Sequence, residues 1–174
     1  GAPVAGTFAA ISFGVQTVAG TYTVVATNAI TGCTRTMAGS AIVSINPLPT
    51  AFTLTTFGST SYCAGGAGVN LFLLGSALGI SYQVMLAGSP VGSPVAGTGG
   101  FLSLGAFTGS GAHTVVATNT TTGCTNTMAG SVTITINPLP TAFSVTGGGS
   151  YCAGGTGVTV GLSGSQTSTN YQLY

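Results

Sequence analysis

Short runs of alternating apolar and polar residues, or of successive β-branched residues, recur along the chain between Gly and Pro residues. Such runs predict β-strands that are buried on one face or on both. We expect strands at about 51–56, 68–74, 80–86, 100–105, 112–118 and 129–136, with a weaker one near 92–96. No segment keeps a helical period, and Gly, Thr and Val all disfavour helix. Short strands with frequent turn signals predict two packed antiparallel sheets.

The pattern itself is repeated. Residues 3–52 match residues 94–143 at a constant offset of 91, with 32 identities in 50 positions. The offset becomes 89 further along the chain, where Tyr62-Cys63 matches Tyr151-Cys152. One unit is therefore about 90 residues long, which is the size of a small β-sandwich.

The sequence Asn-Pro-Leu-Pro, at 46–49 and again at 137–140, is the natural boundary between units. Two prolines in three residues stiffen a link and cannot continue a strand ladder. We therefore expect the C-terminal part of one repeat at 1–49, a complete repeat at 50–138 and the N-terminal part of the next repeat at 139–174. We also expect the segment to belong to a longer array whose neighbouring sequence completes both partial sandwiches.

The high mean hydropathy of +0.62 raises the alternative of a membrane protein. Residues 69–88 carry no charge and are long enough to be considered as a transmembrane span. Gly, Ser, Asn and Gln interrupt the stretch, however, and the equivalent residues 159–174 alternate between polar and apolar. The sequence therefore predicts two buried strands joined by a Gly-Ser turn, and no membrane span.

Composition then excludes several classes of function. Among 174 residues, Arg35 is the one charged side chain and His113 the one histidine, and there is no Asp, Glu or Lys. No carboxylate is present for acid–base catalysis or for a Ca²⁺ or Mg²⁺ site. A nucleic-acid interface needs a basic face, which one Arg does not make. The four cysteines lack C-x-x-C spacing, so a zinc site is not expected either, and we expect no cofactor.

One enzymatic hypothesis needs weighing, in which Cys124 is a nucleophile and His113 its base. The repeat places Tyr22 at the position of His113, and no carboxylate is present to orient the imidazole. We therefore expect that the protein is not an enzyme. We expect His113 to be a half-exposed strand residue and Arg35 to be a solvated residue of a hairpin.

Two motifs carry a resemblance to a known class. The residues Gly20 to Asn28, followed by Thr31-Gly32-Cys33, resemble the last strands of immunoglobulin-like (Ig-like) and PKD-like domains. Tyr-Cys-x-Gly-Gly-x-Gly-Val, which begins at Tyr62 and at Tyr151, is similar to the opening of such domains. Together they resemble the tandem Ig-like repeats of giant Bacteroidota cell-surface proteins, including gliding-type adhesins. The resemblance implies an all-β array of tandem Ig-like antiparallel sandwiches on a long, secreted polypeptide.

The same resemblance suggests two structural details. Gly-x-Tyr at Tyr22 resembles the tyrosine corner of Ig folds, from which the complete unit departs at His113. An extracellular setting also favours disulfides, and we expect one bridge per domain, Cys63 to Cys124, worth about 4 kcal/mol by loop entropy. Cys33 and Cys152 would then pair outside this segment. Bridges between adjacent domains remain the alternative, because in a simple Ig topology the two cysteines lie at opposite ends of the domain.

The surface chemistry leaves further alternatives open. Asn119-Thr120-Thr121 is an N-glycosylation sequon, although its repeat equivalent Asn28-Ala29-Ile30 is not. A surface almost without charge needs hydration from hydroxyls, from O-linked glycans on Ser and Thr, or needs lateral burial in a fibre.

The expected function is that of a non-enzymatic structural repeat in an extracellular filament or adhesin stalk. It is stabilised by disulfides and by head-to-tail continuity, and its partners are copies of itself or adjacent repeats. One alternative is a carbohydrate- or surface-binding adhesive module, which needs exposed aromatic residues. A third is an ice-binding surface of regular Thr rows, suggested by residues 120–122 and by Thr133 and Thr135.

Overall fold

The computed structural model describes residues 1–174 and contains fifteen β-strands and no helix. In chain order the strands are β1 (Gly20–Tyr22), β2 (Val25–Thr27), β3 (Thr34–Thr36), β4 (Ala41–Val43), β5 (Leu54–Thr55), β6 (Ser61–Cys63), β7 (Val69–Leu73), β8 (Ile80–Leu86), β9 (Ser89–Ala96), β10 (Leu102–Phe107), β11 (Gly111–Asn119), β12 (Thr125–Thr127), β13 (Val132–Asn137), β14 (Val145–Gly147) and β15 (Val160–Leu162).

Strands β5 to β13 form two sheets. The smaller has the order β10–β7–β5, and the larger has the order β6–β13–β11–β8–β9, with β12 added beside β11. Neighbouring strands are antiparallel except β6 and β13, which are parallel. The two sheets face each other across one hydrophobic core, so the all-β prediction is confirmed and this part of the chain is of the β-sandwich type.

The core follows from the alternation in the sequence, because every second residue of a strand points to the same face. In β7, β8 and β11 the buried positions alternate with more exposed ones. The core cluster contains fourteen residues: Leu54, Val69, Leu71, Leu73, Ile80, Tyr82, Val84, Leu102, Leu104, Val115, Ala117, Met128, Val132 and Ile134. Burying each of the larger aliphatic side chains contributes roughly 1.5–3 kcal/mol, which makes this packing the main stabilising term.

All seven strands expected in this region are present, with boundaries that differ by a few residues. The weak strand expected near 92–96 is the second half of β9. Strands β6 and β12 were not predicted, since each is three residues long and too short for a periodic pattern. Both are defined by their pairing, β6 with β13 and β12 with β11.

Residues 69–88, considered above as a membrane span, form β7 and β8 in different sheets, as the two-strand prediction required. The structure contains no helix of the length and hydropathy needed to cross a membrane.

The flanking segments reproduce the strand registers of the central sandwich. Gly20 pairs with Val43 in β1 and β4, as the equivalent Gly111 pairs with Ile134. On the C-terminal side Val145 pairs with Leu162, as Leu54 pairs with Leu73. The sequence repeat is therefore also a repeat of backbone hydrogen bonding.

The flanking segments differ from the central sandwich in burial. Residues equivalent to core residues are open to solvent in the C-terminal segment. The exposed fractions are 42% for Val158, 43% for Val160, 38% for Leu162 and 44% for Tyr171, against 4% for Val69 and 0% for Leu71, Leu73 and Tyr82. Each flanking segment therefore has some of the strand pairs of the central sandwich, but not the sheet that would cover them.

One glycine of the central sandwich is required by a close approach of two backbone segments. A Cβ added at Gly97 would lie 2.0 Å from the carbonyl oxygen of Ala77. The Gly97 N–H also donates to the carbonyl of Ile80 at 2.8 Å, which fixes its position. Nearby Gly100 has no atom within 4 Å of its added Cβ.

We predict that Gly97→Ala lowers the free energy of unfolding by about 2 kcal/mol or more, because the backbone at Ala77 must move to admit the methyl group. Gly100→Ala is the matched control and should change stability by less than about 0.5 kcal/mol. Urea unfolding of both variants measures the difference. Equal stability of the two variants would contradict the close approach.

Candidate functional site

No arrangement of residues typical of a metal centre is found, since no three His or Cys side chains lie together. The two members of the enzymatic hypothesis are also far apart. His113 lies near the start of β11, whereas Cys124 lies beyond its end, where the Asn119 N–H donates to the Cys124 carbonyl at 2.8 Å. Asn119 lies six strand positions beyond His113, which corresponds to about 20 Å. The imidazole therefore cannot activate this thiol.

His113 is fully buried at 0% exposure, and the expectation of a half-exposed residue was wrong. Its side chain points inward because it is in register with Val115 and Ala117 on the core face of β11. The Nδ1 atom lies 3.1 Å from the Gly111 carbonyl, and the ring packs against Phe107 with a centroid distance of 5.8 Å. The Nε2 atom has no hydrogen-bond partner.

The equivalent residue in the N-terminal segment makes the bond that His113 does not. The Tyr22 hydroxyl donates to the Val18 carbonyl, four residues upstream, at 2.8 Å. This is the hydrogen bond of a tyrosine corner. The position equivalent to Val18 is Gly109, whose added Cβ would lie 3.9 Å from the His113 Nε2 atom. The shorter side chain of His113 thus does not make the corner hydrogen bond, and its buried Nε2 atom has no partner.

All four cysteines are free thiols, so the expected bridge from Cys63 to Cys124 is not formed. The register explains why. Cys63 pairs with Asn137 at the end of β13, whereas Cys124 follows the opposite end of β11. The length of β11 alone separates them by about 25 Å, and a disulfide requires Cα atoms within about 7 Å.

Each of these two cysteines lies beside a linker. The Cys124 Sγ atom is 4.0 Å from the Asn46 carbonyl, at the start of the linker that enters the sandwich. In the same hairpin the Asn126 side-chain amide donates to the Pro49 carbonyl at 2.8 Å, and Pro49 is buried. At the other end of the sandwich, the Ala64 N–H donates to the Asn137 carbonyl at 2.9 Å. Both linkers are thus held by contacts with the sandwich.

Asn119, the residue of the sequon, has a structural role in its turn. Its Oδ1 atom accepts hydrogen bonds from the Thr121 and Thr122 N–H groups at 2.9 and 3.1 Å. Asn28 does the same for Ile30 and Thr31, with the same two distances. The turn therefore accounts for asparagine at both positions, while glycosylation of Asn119 stays a prediction. Arg35 is exposed in β3, within the hairpin as expected.

The structure contains an exposed aromatic cluster that the sequence analysis did not predict. Phe57, Phe72 and Phe101 lie on the outer face of the smaller sheet, with ring centroids 5.2 to 6.0 Å apart. Phe57 is 67% exposed and Phe101 is 51% exposed. The available signal was the position of Phe72 between Leu71 and Leu73, which puts it on the face opposite to theirs. The residues equivalent to Phe72 and Phe101 are Gly161 and Ala10, so the cluster is specific to the central sandwich.

Two apolar troughs lie on the flanking segments. The larger, of about 1570 Å³, is lined by 21 residues between Gly1 and Val43, among them Ile11, Phe13 and Val24. The smaller, of about 540 Å³, includes Val160 and Leu162. Val24, Val160 and Leu162 are equivalent to the core residues Val115, Leu71 and Leu73. Both troughs are therefore uncovered faces whose equivalents are buried in the central sandwich.

We predict that His113→Tyr raises the free energy of unfolding by about 1 kcal/mol, because the hydroxyl reaches the Gly109 carbonyl and the unpaired nitrogen is removed. His113→Phe is the control that removes the nitrogen without adding the hydroxyl, and it should give less stabilisation. Thermal unfolding of the three proteins provides the comparison. If tyrosine is no better than phenylalanine, no corner bond forms at this position.

Comparisons with protein-family models, with curated proteins and with solved structures find no match to this chain.

Proposed function

We propose that the chain is a non-enzymatic structural repeat of an extracellular filament or adhesin stalk, built from tandem Ig-like β-sandwiches. The observation that carries the proposal is the complementarity of the two flanking segments. Strands β1 to β4 have registers found among the closing strands of the central sandwich, and β14 and β15 have the register of its opening strands β5 and β7. In the central sandwich these two sets of strands pack against each other.

Burial energetics favour the same arrangement. Val160, Leu162 and Tyr171 are each at least 38% exposed in the single chain. Covering them with the closing strands of another copy, or of an adjacent repeat, gains about 25 cal/mol for each Å² of apolar surface removed from water. Uncovered sheet edges add to this tendency, because they offer unpaired backbone groups. Head-to-tail continuity therefore lowers the free energy of both flanking segments.

The strand order of the central sandwich suits a domain that bears tension. β6 lies near the N-terminal end of the central sandwich and β13 at its C-terminal end, and they are parallel neighbours. Pulling the two ends of the sandwich apart slides β6 along β13, so their hydrogen bonds are loaded together in shear rather than one at a time. Linkers held at Pro49 and Asn137 transmit that load without slack.

The near absence of charge bears on how such units assemble. One Arg and no acidic residue leave little Coulomb energy for salt to screen. Hydroxyl groups supply the hydration instead, and glycans on Ser and Thr would add to it. Association through apolar faces should therefore depend little on ionic strength.

We predict that the chain associates head to tail in a concentration-dependent manner, with similar affinity at low and high salt. The double variant Val160→Asn, Leu162→Asn should weaken association by at least about tenfold for each site, since each loses about 1.5 kcal/mol or more of burial. Thr159→Asn, on the other face of the same segment, is the matched control and should leave association unchanged. Sedimentation velocity measures all three proteins. A chain that stays monomeric at every concentration contradicts the proposal.

A carbohydrate- or surface-binding module is the second candidate, and the aromatic cluster Phe57–Phe72–Phe101 favours it. Rings spaced 5.2 to 6.0 Å apart on an outer sheet face offer an apolar platform of the kind on which sugar rings stack. The ice-binding alternative gains no support from the register. Thr133 lies beside Ala112 and Thr135 beside Ser61, so neither of these threonines has a threonine as its register partner.

If the cluster is an adhesive site, Phe101→Ala should reduce retention on immobilised polysaccharides by about tenfold, which corresponds to the loss of one stacking contact. Phe107→Ala cannot serve as a control, because Phe107 packs on the core. Leu78→Ala, at a residue that is 76% exposed, is the suitable one. Equal retention of all three proteins would contradict an adhesive role of the cluster.

A further inference from the structure

The two cysteines of the central sandwich lie at its two linkers, and the repeat relates those linkers to each other. Asn46 and Asn137 are equivalent residues at the offset of 91. Cys124 contacts the carbonyl of Asn46, the asparagine of the linker that enters the sandwich. Cys63 is the register partner of Asn137, the asparagine of the linker that leaves it.

The repeat places a second cysteine at Asn137. Cys33 and Cys124 occupy equivalent hairpin turns. The Cys33 carbonyl accepts a hydrogen bond from the Asn28 N–H at 2.8 Å, and the Cys124 carbonyl accepts one from the Asn119 N–H at 2.8 Å. The hairpin of the unit that follows Asn137 therefore brings its cysteine to the Asn137 carbonyl, as Cys124 is brought to the Asn46 carbonyl. In a head-to-tail pair of chains, that cysteine is Cys33 of the next copy.

Two thiols thus converge on a single residue. Parallel register partners lie about 4.8 Å apart, so the Cα atom of Cys63 is near that of Asn137. The hairpin thiol of the following unit lies at the oxygen of the same residue, by equivalence with the 4.0 Å contact of Cys124. Disulfide Cα separations of about 4.4–6.8 Å fall within this geometry. Cys63 is exposed and its equivalent Cys152 is exposed, so both are open to a partner.

We propose that each Asn-Pro-Leu-Pro linker is bridged by a disulfide between adjacent units, formed by the Cys63-type cysteine of one unit and the hairpin cysteine of the next. The proposal rests on the tandem arrangement of the proposed function. Within one chain no such pair is complete, because Cys63 and Cys124 serve different linkers. Cys63 pairs with Cys33 of the following copy, and Cys152 pairs with Cys124 of that copy.

The bond forms by thiol–disulfide exchange with a low-molecular-weight disulfide such as oxidised glutathione. The two cysteine thiols give up two protons and two electrons and form one S–S bond. The glutathione disulfide accepts both and leaves as two thiols. No metal or further reactant is needed.

The test uses two complete chains joined through a second copy of residues 86–91, the stretch by which the two ends differ from a continuous repeat. Serine replaces Cys33 of the first copy and Cys63, Cys124 and Cys152 of the second. Four cysteines with distinguishable peptides remain, namely Cys63, Cys124 and Cys152 of the first copy and Cys33 of the second. The protein is oxidised with oxidised glutathione, digested with chymotrypsin and mapped by mass spectrometry without reduction.

A bridge between units gives one disulfide, from Cys63 to Cys33 of the second copy, with two thiols left for titration. Bridges within units would instead give Cys63 to Cys124 and Cys152 to Cys33 of the second copy, with no thiol left. Either that result or four free thiols overturns the proposal. Adding Cys63→Ser is the control, and it should abolish the disulfide and leave three thiols.

Small-angle scattering of the reduced protein separates this proposal from the one on which it rests. An extended string of sandwiches without the disulfide would overturn the bridge alone. A compact or unfolded reduced protein would overturn the tandem arrangement itself.

Discussion

The packing of the β5–β7–β10 sheet against the larger sheet is the interaction on which the other features depend. With one charged residue in the chain, ion pairs contribute nothing, and apolar burial together with backbone hydrogen bonding must supply the stability. Where both sheets are present, Leu71, Leu73 and Tyr82 are wholly buried. Where one is absent, the same registers form but the apolar face stays open. The open apolar faces of the flanking segments are therefore where a covering sheet would add most stability.

Most strands of the central sandwich could be predicted from the sequence, because their hydrophobic patterns are local and periodic. Alternation predicts β7, β8 and β11, and the offsets of 91 and 89 predict which strands of the flanking segments are equivalent to them. Strands β6 and β12 escaped because three residues show no period and depend on partners distant in sequence. His113 was misjudged for a related reason. A polar residue type suggested exposure, whereas its register with Val115 put it in the core. Burial at this position is decided by the alternation of the strand and not by the polarity of the side chain.

The cysteines show the same limit at the level of the site. Their spacing along the chain is compatible with a bridge inside a unit, and only the sheet topology puts Cys63 and Cys124 at opposite ends. Similarly, three phenylalanines separated by as many as 44 positions form one cluster only after β7 and β10 pair. Relations of this kind come from tertiary pairing, which no single window of sequence contains.

The hydrogen bond from Asn126 to the Pro49 carbonyl has a consequence for the shape of a long array. The residue equivalent to Asn126 in the preceding unit is Arg35, a longer side chain with a planar, charged head. In the tandem array proposed above, these two joints would therefore be fastened by different groups. Such joints would differ in stiffness, so the array would flex unequally along its length.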